Sequence, residues 1–223
     1  MSNPEQNWKT VAAAFQDQAD EYENWFADNP VFASELSALL AIETELAEPR
    51  LEIGVGPGLF ATRLGISFGI DPAFAPLVKA KDNAIQVCRA IGEQLPFAGH
   101  QFGTVFLLFT LCFLQDPARV FKECRRVLSS SGHLALGIIP GNSSWGKELA
   151  DKGRKGHPLY RHARFHEKEP IETALINCGF EVRETISTLR QSPAKTRQPE
   201  EPHKGYDQQA GLLVLVANKR PTG

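Results

Sequence analysis

Short apolar runs bounded by turn residues recur through the middle and the end of the chain, and each has the length of a buried strand. Segments with apolar residues at helical spacing separate them, most clearly Asp116–Leu128 and the segment that opens at Pro170. This alternation predicts a doubly wound, mostly parallel α/β sheet, and the last two runs predict an antiparallel hairpin at one end of it. The seven predicted strands lie at 50–54, 66–71, 84–88, 104–109, 133–139, 181–189 and 212–218.

Helical spacing also governs the chain before the first strand. The large apolar residues from Trp8 to Phe26 fall on one face of a helix, and a second helical stretch runs from Phe32 to about Leu46, before Pro49. The whole chain has 223 residues, which is enough for one α/β core but short for two. We therefore expect a single domain with N-terminal helices.

A glycine-rich turn follows the first predicted strand, in the segment LEIGVGPGLF. This segment contains Glu52, then Gly54, Gly56 and Gly58, and a helix is predicted to start next. Glycine allows a tight turn and the close approach of a ligand to the backbone, and the helix start offers unpaired N–H groups. A dinucleotide site has the pattern G-x-G-x-x-G, which requires glycine at the position of Leu59. The turn therefore predicts a ligand other than a dinucleotide, with a purely structural turn as the alternative.

The second predicted strand ends in an acidic residue, Asp71 of the segment FGIDPA. Ligands of open parallel sheets bind beyond the carboxyl ends of the strands, so Asp71 is expected on the same edge as the glycine turn. A carboxylate there can accept hydrogen bonds from both hydroxyls of a ribose. A turn cap beside Pro72 is the structural alternative.

Three further segments follow in order: GIDPA at 69–73, GEQLPF at 92–97 and FLQDPARVFKECRRVLSSSGHLALG at 113–137. Together with the E-x-G-x-G-x-G turn, they resemble the seven-strand, Rossmann-like S-adenosylmethionine-dependent methyltransferases, in particular the small-molecule branch called methyltransferase type 11. The resemblance covers roughly residues 50–140. It implies that S-adenosylmethionine is the cofactor and that the chain transfers a methyl group, which we expect to go to a small-molecule acceptor.

The resemblance also implies which residues hold the methionine and ribose portions of the cofactor. Glu52 and the turn from Gly54 to Gly58 are expected to hold the methionine portion. Asp71 is expected to bind the ribose, with Pro72 beside it.

Residues after the third and fourth strands are expected to complete the cofactor site. The resemblance places Ile91 and Gly92 beside the adenine, although the family often has Asp where this chain has Ile91. Residues from Leu108 to Phe113 are expected to line the cleft where the methionine end meets the acceptor. Phe109 and Phe113 are also compatible with a place in the core.

The segment from 140 to 165 is rich in Gly, Lys, Arg and His and shows little periodicity. Long irregular segments often cover functional sites, and this one resembles an S-x-W-G segment found in uncharacterised members of the family. We expect a lid over the acceptor, with Trp145, Tyr160 and His162 as acceptor contacts. A solvated basic loop is the alternative.

Aromatic residues near the N-terminus suggest a second segment that covers the cofactor site. We hypothesise that Tyr22 and Trp25 close over the cofactor and acceptor, with packing of a helix face as the alternative for Tyr22. The predicted parts of the domain are an N-terminal helical cover (1–48), a cofactor-binding core (49–140), a lid (141–165) and a C-terminal helix and hairpin (166–218).

Composition narrows the classes of partner. The chain has 24 Lys and Arg against 26 Asp and Glu, a net charge of -2, which disfavours nucleic acid and anionic membranes as partners. The four cysteines lack C-x-x-C spacing, so we expect no metal site and no disulfide framework. The sequence lacks a signal-peptide pattern and an apolar run of membrane-spanning length, and we expect a soluble, cytoplasmic monomer or homodimer.

Three other functions stay open on the sequence. A binding protein that keeps the cofactor but has lost turnover is one, because the sequence shows no unambiguous general base and thus no assignable catalytic residue. An RNA methyltransferase is a weaker one, resting on the basic stretch between Lys147 and Lys168. An NAD-dependent enzyme is disfavoured by Leu59.

Overall fold

A central β-sheet forms the middle layer of the protein, whose structure is a computed structural model that describes residues 4–18 and 29–220. Helices cover both faces of this sheet, so the central strands are buried over almost their whole length. The strands of the described residues are β1 (Arg50–Ile53), β2 (Phe68–Asp71), β3 (Gln86–Arg89), β4 (Phe102–Leu108), β5 (Leu128–Ile138), β6 (Phe180–Thr188), β7 (His203–Lys204) and β8 (Leu212–Lys219).

Within the described residues the sheet has eight strands in the order β3-β2-β1-β4-β5-β8-β6-β7. Strands β1 to β5 pair in parallel, and β8, β6 and β7 each run antiparallel to their neighbours. The predicted α/β fold, with a mostly parallel sheet and an antiparallel pair near its C-terminus, is confirmed. Strand β7 was not predicted, because two residues are too few to give a periodic pattern.

The helices pack against the sheet through their apolar faces. Two apolar clusters result: one lies under helices near residues 117–127 and 168–177, and the other lies on the opposite face. No helix in the described ranges is long and apolar enough to cross a membrane. The described helices are α1 (Pro4–Asp17), α2 (Pro30–Leu40), α3 (Leu59–Leu64), α4 (Phe74–Asp82), α5 (Pro117–Val127), α6 (Ser144–Arg154) and α7 (Lys168–Asn177), with short 3-10 helices at Leu111–Phe113 and Tyr160–His162.

Helix α2 is shorter than its sequence pattern predicts. It ends at Leu40, whereas the prediction extended it to about Leu46. The backbone N–H groups of Glu43 and Thr44 donate to the carboxylate of Glu184 on β6, at 2.8 and 3.0 Å. These long-range hydrogen bonds hold the chain against the sheet and replace the bonds that a continuing helix would have made.

Strand β5 begins earlier than predicted. It starts at Leu128, where α5 ends, and its pairing with β4 is interrupted after that residue. Leu128 pairs with Phe102, and the next pair joins His133 to Thr104, so the residues between Leu128 and His133 form a bulge. The polar residues after Leu128 therefore interrupt the pairing of β5 with β4, but they belong to the strand and do not precede it.

Candidate functional site

A cavity of about 650 Å³ opens at the carboxyl edge of β1, β2 and β4, where the strand order reverses. Its walls are the glycine turn after β1, the end of β2, residues 90–94 after β3 and residues 108–110 and 113–116 after β4. Helix α1 forms its roof. A cavity of this size suits a small molecule.

The three glycines of the turn all have positive φ angles, but their surroundings differ. At Gly54 and Gly58 a Cβ atom would come within 2.3 Å of Thr110 Oγ1 and 2.4 Å of Ile85 Cδ1, so these positions serve close packing. At Gly56 no atom lies within 4 Å of the Cβ position, and this residue lines the cavity. Space for a ligand is therefore kept at Gly56.

Asp71, at the end of β2, is hydrogen-bonded to this turn. Its carboxylate accepts hydrogen bonds from the backbone N–H groups of Gly56 at 3.1 Å and Ala73 at 2.8 Å. Burial raises the pKa of Asp71 to about 6, and the two backbone hydrogen bonds oppose that shift. Asp71 and Pro72 both line the cavity, and each carboxylate oxygen has a lone pair left for a ligand hydroxyl.

Glu52 lies behind the glycine turn rather than on the wall of the cavity. It is 2% exposed, and its Oε2 atom has no hydrogen-bond partner. Burial and the neighbouring charge of Asp71 raise the pKa of Glu52 well above its ordinary value. A buried carboxyl without a partner is costly, and a cation bound in the cavity would offset that cost.

The wall beyond β3 holds the predicted Ile91 and Gly92. Ile91 lines the cavity, and its carbonyl accepts from the N–H of Gln94 at 3.2 Å. Glu93 lines the same wall, and burial raises its pKa. Sequence reasoning did not single out Glu93, although it lies in the quoted segment GEQLPF, two residues from the missing family Asp. Arg119 fixes this wall by donating to the Glu93 carbonyl at 3.0 Å.

Aromatic rings form the wall beyond β4. Leu108 and Phe109 line the cavity, and Phe109 has a φ of 56°, a left-handed conformation that is rare outside glycine. Its ring packs on Phe60 with a centroid distance of 5.2 Å. Phe113 meets Phe15 of α1 edge-on at 5.0 Å, which attaches the roof to this wall. The cleft predicted after β4 is thus an aromatic wall.

The structure corrects the prediction of an irregular lid at 141–165. Ser143 caps α6 by accepting from the N–H of Gly146 at 3.0 Å, and this helix packs onto the core. Trp145 is 6% exposed and donates from Nε1 to the carbonyl of Gln191 at 2.8 Å. It therefore belongs to the core rather than to the cavity, and a helix start with a serine cap was the sequence signal for this arrangement.

Tyr160 and His162 also lie away from the wall of the cavity. The ring of Tyr160 packs on His157 with centroids 4.4 Å apart, and His162 accepts from Arg161 at 3.0 Å. Neither residue contacts an acceptor bound wholly within the cavity. The other predicted cover, Tyr22 with Trp25, lies outside the described residues.

The family model for the methyltransferase domain matches residues 51–136. A crystal structure from Thermotoga maritima, of an S-adenosylmethionine-dependent methyltransferase and possible histamine N-methyltransferase, is 30% identical with a TM-score of 0.85. The match covers 95% of this chain and 100% of that one. An uncharacterized protein of Mycobacterium tuberculosis is 38% identical over 218 residues, which is 96% of this chain and 76% of the relative. Malonyl-[acyl-carrier protein] O-methyltransferase of Geobacter sulfurreducens is 28% identical over 189 residues, 77% of this chain and 70% of the relative.

Proposed function

This chain belongs to the S-adenosylmethionine-dependent methyltransferases, and we propose that it transfers the methyl group of that cofactor to a small-molecule acceptor. The observation that carries the proposal is the roofed cavity at the strand ends, with cofactor-type groups on one side and an aromatic wall on the other. Helix α1 lies over this edge of the cavity, which favours an acceptor small enough to fit beneath it.

The residues present fit the cofactor. Gly56 leaves space beside the backbone, and the carboxylate of Asp71 can accept the two ribose hydroxyls. The buried carboxyl of Glu52, whose Oε2 atom has no hydrogen-bond partner, would attract the α-ammonium group of the methionine portion. Ile91 and Gly92 would flank the adenine, with the carboxyl of Glu93 on the same wall. S-adenosylmethionine supplies a methyl group that is already activated on a sulfonium.

The protein's own contribution is then mainly alignment and the exclusion of water. Phe109, Phe113 and Phe15 present apolar surface on the side of the cavity after β4, and α1 closes it. No histidine is found among the described residues on the wall. The carboxyl of Glu93, whose pKa burial raises, lies on the wall and is one group that could accept a proton from the acceptor.

Incubation of the purified protein with methyl-labelled S-adenosylmethionine tests the proposal. Separate pools of small amines, carboxylic acids, thiols and phenols would be compared with total RNA. We expect label in one of the small-molecule pools and none in RNA. Binding of S-adenosylhomocysteine without transfer to any pool would instead indicate a non-catalytic binding protein, and label in RNA would contradict a small-molecule acceptor.

The raised pKa of Glu52 leads to a prediction about the protons released when the cofactor product binds. A cation bound in the cavity near it would stabilise the ionised carboxylate and so lower its raised pKa, and binding of S-adenosylhomocysteine is therefore expected to release a proton wherever Glu52 is still protonated in the free protein. Measurements at pH 7.5 and above leave Asp71, with a pKa of about 6, mostly ionised. Calorimetry in two buffers with different ionisation enthalpies measures the released proton.

The variant Glu52→Gln should lose this proton release and bind about tenfold more weakly, because the charge that would attract the ammonium group of the ligand from behind the turn is removed. Glu45→Gln, the same change at an exposed position, should match the wild type. Equal proton release in the wild type and in Glu52→Gln would show that Glu52 is not the residue involved.

A further inference from the structure

A second and much smaller cavity, of about 20 Å³, lies next to the aromatic wall of the main cavity described above. Among the residues that the structure describes, Phe109 alone lines both cavities. Most of the lining of the small cavity is apolar, and its polar side chains are those of Cys112 and His166. A space of this size holds a single water molecule or one small polar group. The side chain of Phe109 therefore lies between the main cavity and a space for one such group.

His166 brings an unused hydrogen-bonding atom to the small cavity. The residue is partly exposed, but its Nε2 atom is shielded from solvent and has no hydrogen-bond partner in the part of the chain that the structure describes. A buried polar atom without a partner costs free energy, and a bound group that hydrogen-bonds to it offsets that cost. The other polar side chain, Cys112, already donates to the carbonyl of Phe109 at 3.4 Å. The ring nitrogen of His166 is thus left for a ligand.

The backbone around His166 is held by the neighbouring loops. The N–H of Gly141 donates to the carbonyl of His166 at 3.0 Å, and the N–H of Arg164 donates to the carbonyl of Cys112 at 2.7 Å. A Cβ atom at Gly141 would lie 2.5 Å from the carbonyl oxygen of Phe165, so this close approach requires glycine. These contacts fix the backbone of His166 beside the loop that follows β4.

A passage between the two cavities depends on the ring of Phe109, because the backbone of this residue is fixed. Its N–H donates to the carbonyl of Gly137 at 2.8 Å, and its carbonyl accepts from Cys112. The side chain is only partly buried, since its ring lies on the wall of the main cavity. A rotation of this ring about its side-chain bonds would join the two spaces without a change in the backbone.

We propose that the small cavity is a subsite for a hydroxyl or N–H group of the acceptor, which donates a hydrogen bond to Nε2 of His166 once the ring of Phe109 has moved aside. This inference rests on the proposed function and narrows its acceptor to molecules that carry a neutral hydrogen-bond donor. An ionised carboxylate has no proton to donate, and an apolar group would leave the nitrogen unpaired. The size of the cavity admits one such group and no larger substituent.

The titratable and charged groups near His166 favour the form that accepts a hydrogen bond. Burial and the positive charge of Arg164 both lower the pKa of His166, so its imidazole is neutral at pH 7.5. Burial raises the pKa of Cys112 to about 12, so the thiol that lines the same cavity stays uncharged. Protonation of the imidazole converts its accepting nitrogen into a donor. Recognition of a donor group should therefore be lost as the pH falls through the pKa of His166.

Two isosteric probes, phenol and toluene, test the subsite in the protein saturated with S-adenosylhomocysteine. Their dissociation constants are measured by calorimetry at pH 7.5 in the wild type, in His166→Asn, which removes Nε2, and in His203→Asn. His203 is an exposed histidine on β7 and serves as the matched control. We expect the preference for phenol over toluene to fall by about tenfold in His166→Asn and to stay unchanged in His203→Asn. An equal preference in all three proteins would overturn the proposal.

Nuclear magnetic resonance of the histidine ring nitrogens locates the contact. In protein made with isotopically labelled histidine, the Nε2 signal of His166 is the one that is missing from His166→Asn, and His166→Gln provides this assignment should His166→Asn fail to fold. Phenol should move the signal of the wild type upfield, the direction that a hydrogen bond to an unprotonated ring nitrogen gives, and this effect should be absent at pH 5. A signal that saturating phenol leaves in place at pH 7.5 would overturn the proposal.

Binding of the cofactor product separates this inference from the proposed function. His166→Asn should bind S-adenosylhomocysteine as the wild type does, because His166 is not on the wall of the main cavity. Failure of the wild type to bind S-adenosylhomocysteine would contradict the proposed function itself. Methyl transfer to a small molecule, together with a His166 signal that phenol does not move, would contradict only this inference.

Discussion

Replacing Gly56 by Ala is expected to raise the dissociation constant of S-adenosylhomocysteine by about 100-fold or more, because the new methyl group would occupy the space that the turn leaves for the proposed ligand. The backbone strain is a separate effect, since Gly56 has a φ of +53°. A side chain at positive φ costs roughly 1–2 kcal/mol of stability. Calorimetry with the cofactor product and urea unfolding measure the two effects separately.

Gly205 offers a matched control for this substitution. Its φ is +86°, no atom lies within 4 Å of its Cβ position, and it is not on the cavity wall. Gly205→Ala should therefore lose a similar amount of stability while binding the cofactor product as the wild type does. The assignment of Gly56 fails if both variants bind equally well, or if both lose affinity to the same extent.

Asp71→Asn is expected to weaken binding of S-adenosylhomocysteine by about 100-fold, because charge-assisted hydrogen bonds from the ribose hydroxyls are replaced by weaker ones to a neutral amide. The wild type should also lose affinity as the pH falls through about 6, where the carboxylate of Asp71 becomes protonated. This step should be absent from the pH profile of the variant. Affinities measured by calorimetry from pH 5 to pH 8 check both effects.

Asp207→Asn controls for the local turn that Asp71 makes with the backbone. Asp207 accepts from the N–H of Gln209 at 2.8 Å, as Asp71 accepts from Ala73, but it is not on the cavity wall. We expect wild-type affinity from this control. A weakening in Asp71→Asn no larger than in Asp207→Asn would assign Asp71 to turn geometry alone.

The placement of the glycine turn and Asp71 on one edge of the cavity could be predicted from the sequence because its signals are local. A strand followed by Gly54, Gly56 and Gly58 specifies a left-handed turn, and the parallel sheet places Asp71 at the same edge. The structure showed in addition that the glycines differ. Gly54 and Gly58 leave no room for a side chain because Thr110 and Ile85, which are remote in sequence, pack against them.

The acceptor side could not be predicted in the same way. Trp145 is an aromatic residue in a polar segment, which is the pattern of an exposed contact, yet it is buried against Gly211. A Cβ atom on Gly211 would lie 2.1 Å from Trp145 Cδ1, so this burial depends on a residue remote in sequence.

The sequence by itself determined the alternation of strands and helices from β1 to β5, the glycine turn and the acid at the end of β2, because strand periodicity and turn chemistry depend on neighbouring residues. It also carried the resemblance that named the cofactor, which the comparisons confirmed. The tertiary structure alone decided which aromatic residues face the cavity, that α1 roofs it, and that Glu52 lies buried behind the glycine turn. Burial and pKa depend on what packs around a group, and those surroundings are assembled from segments that only folding brings together.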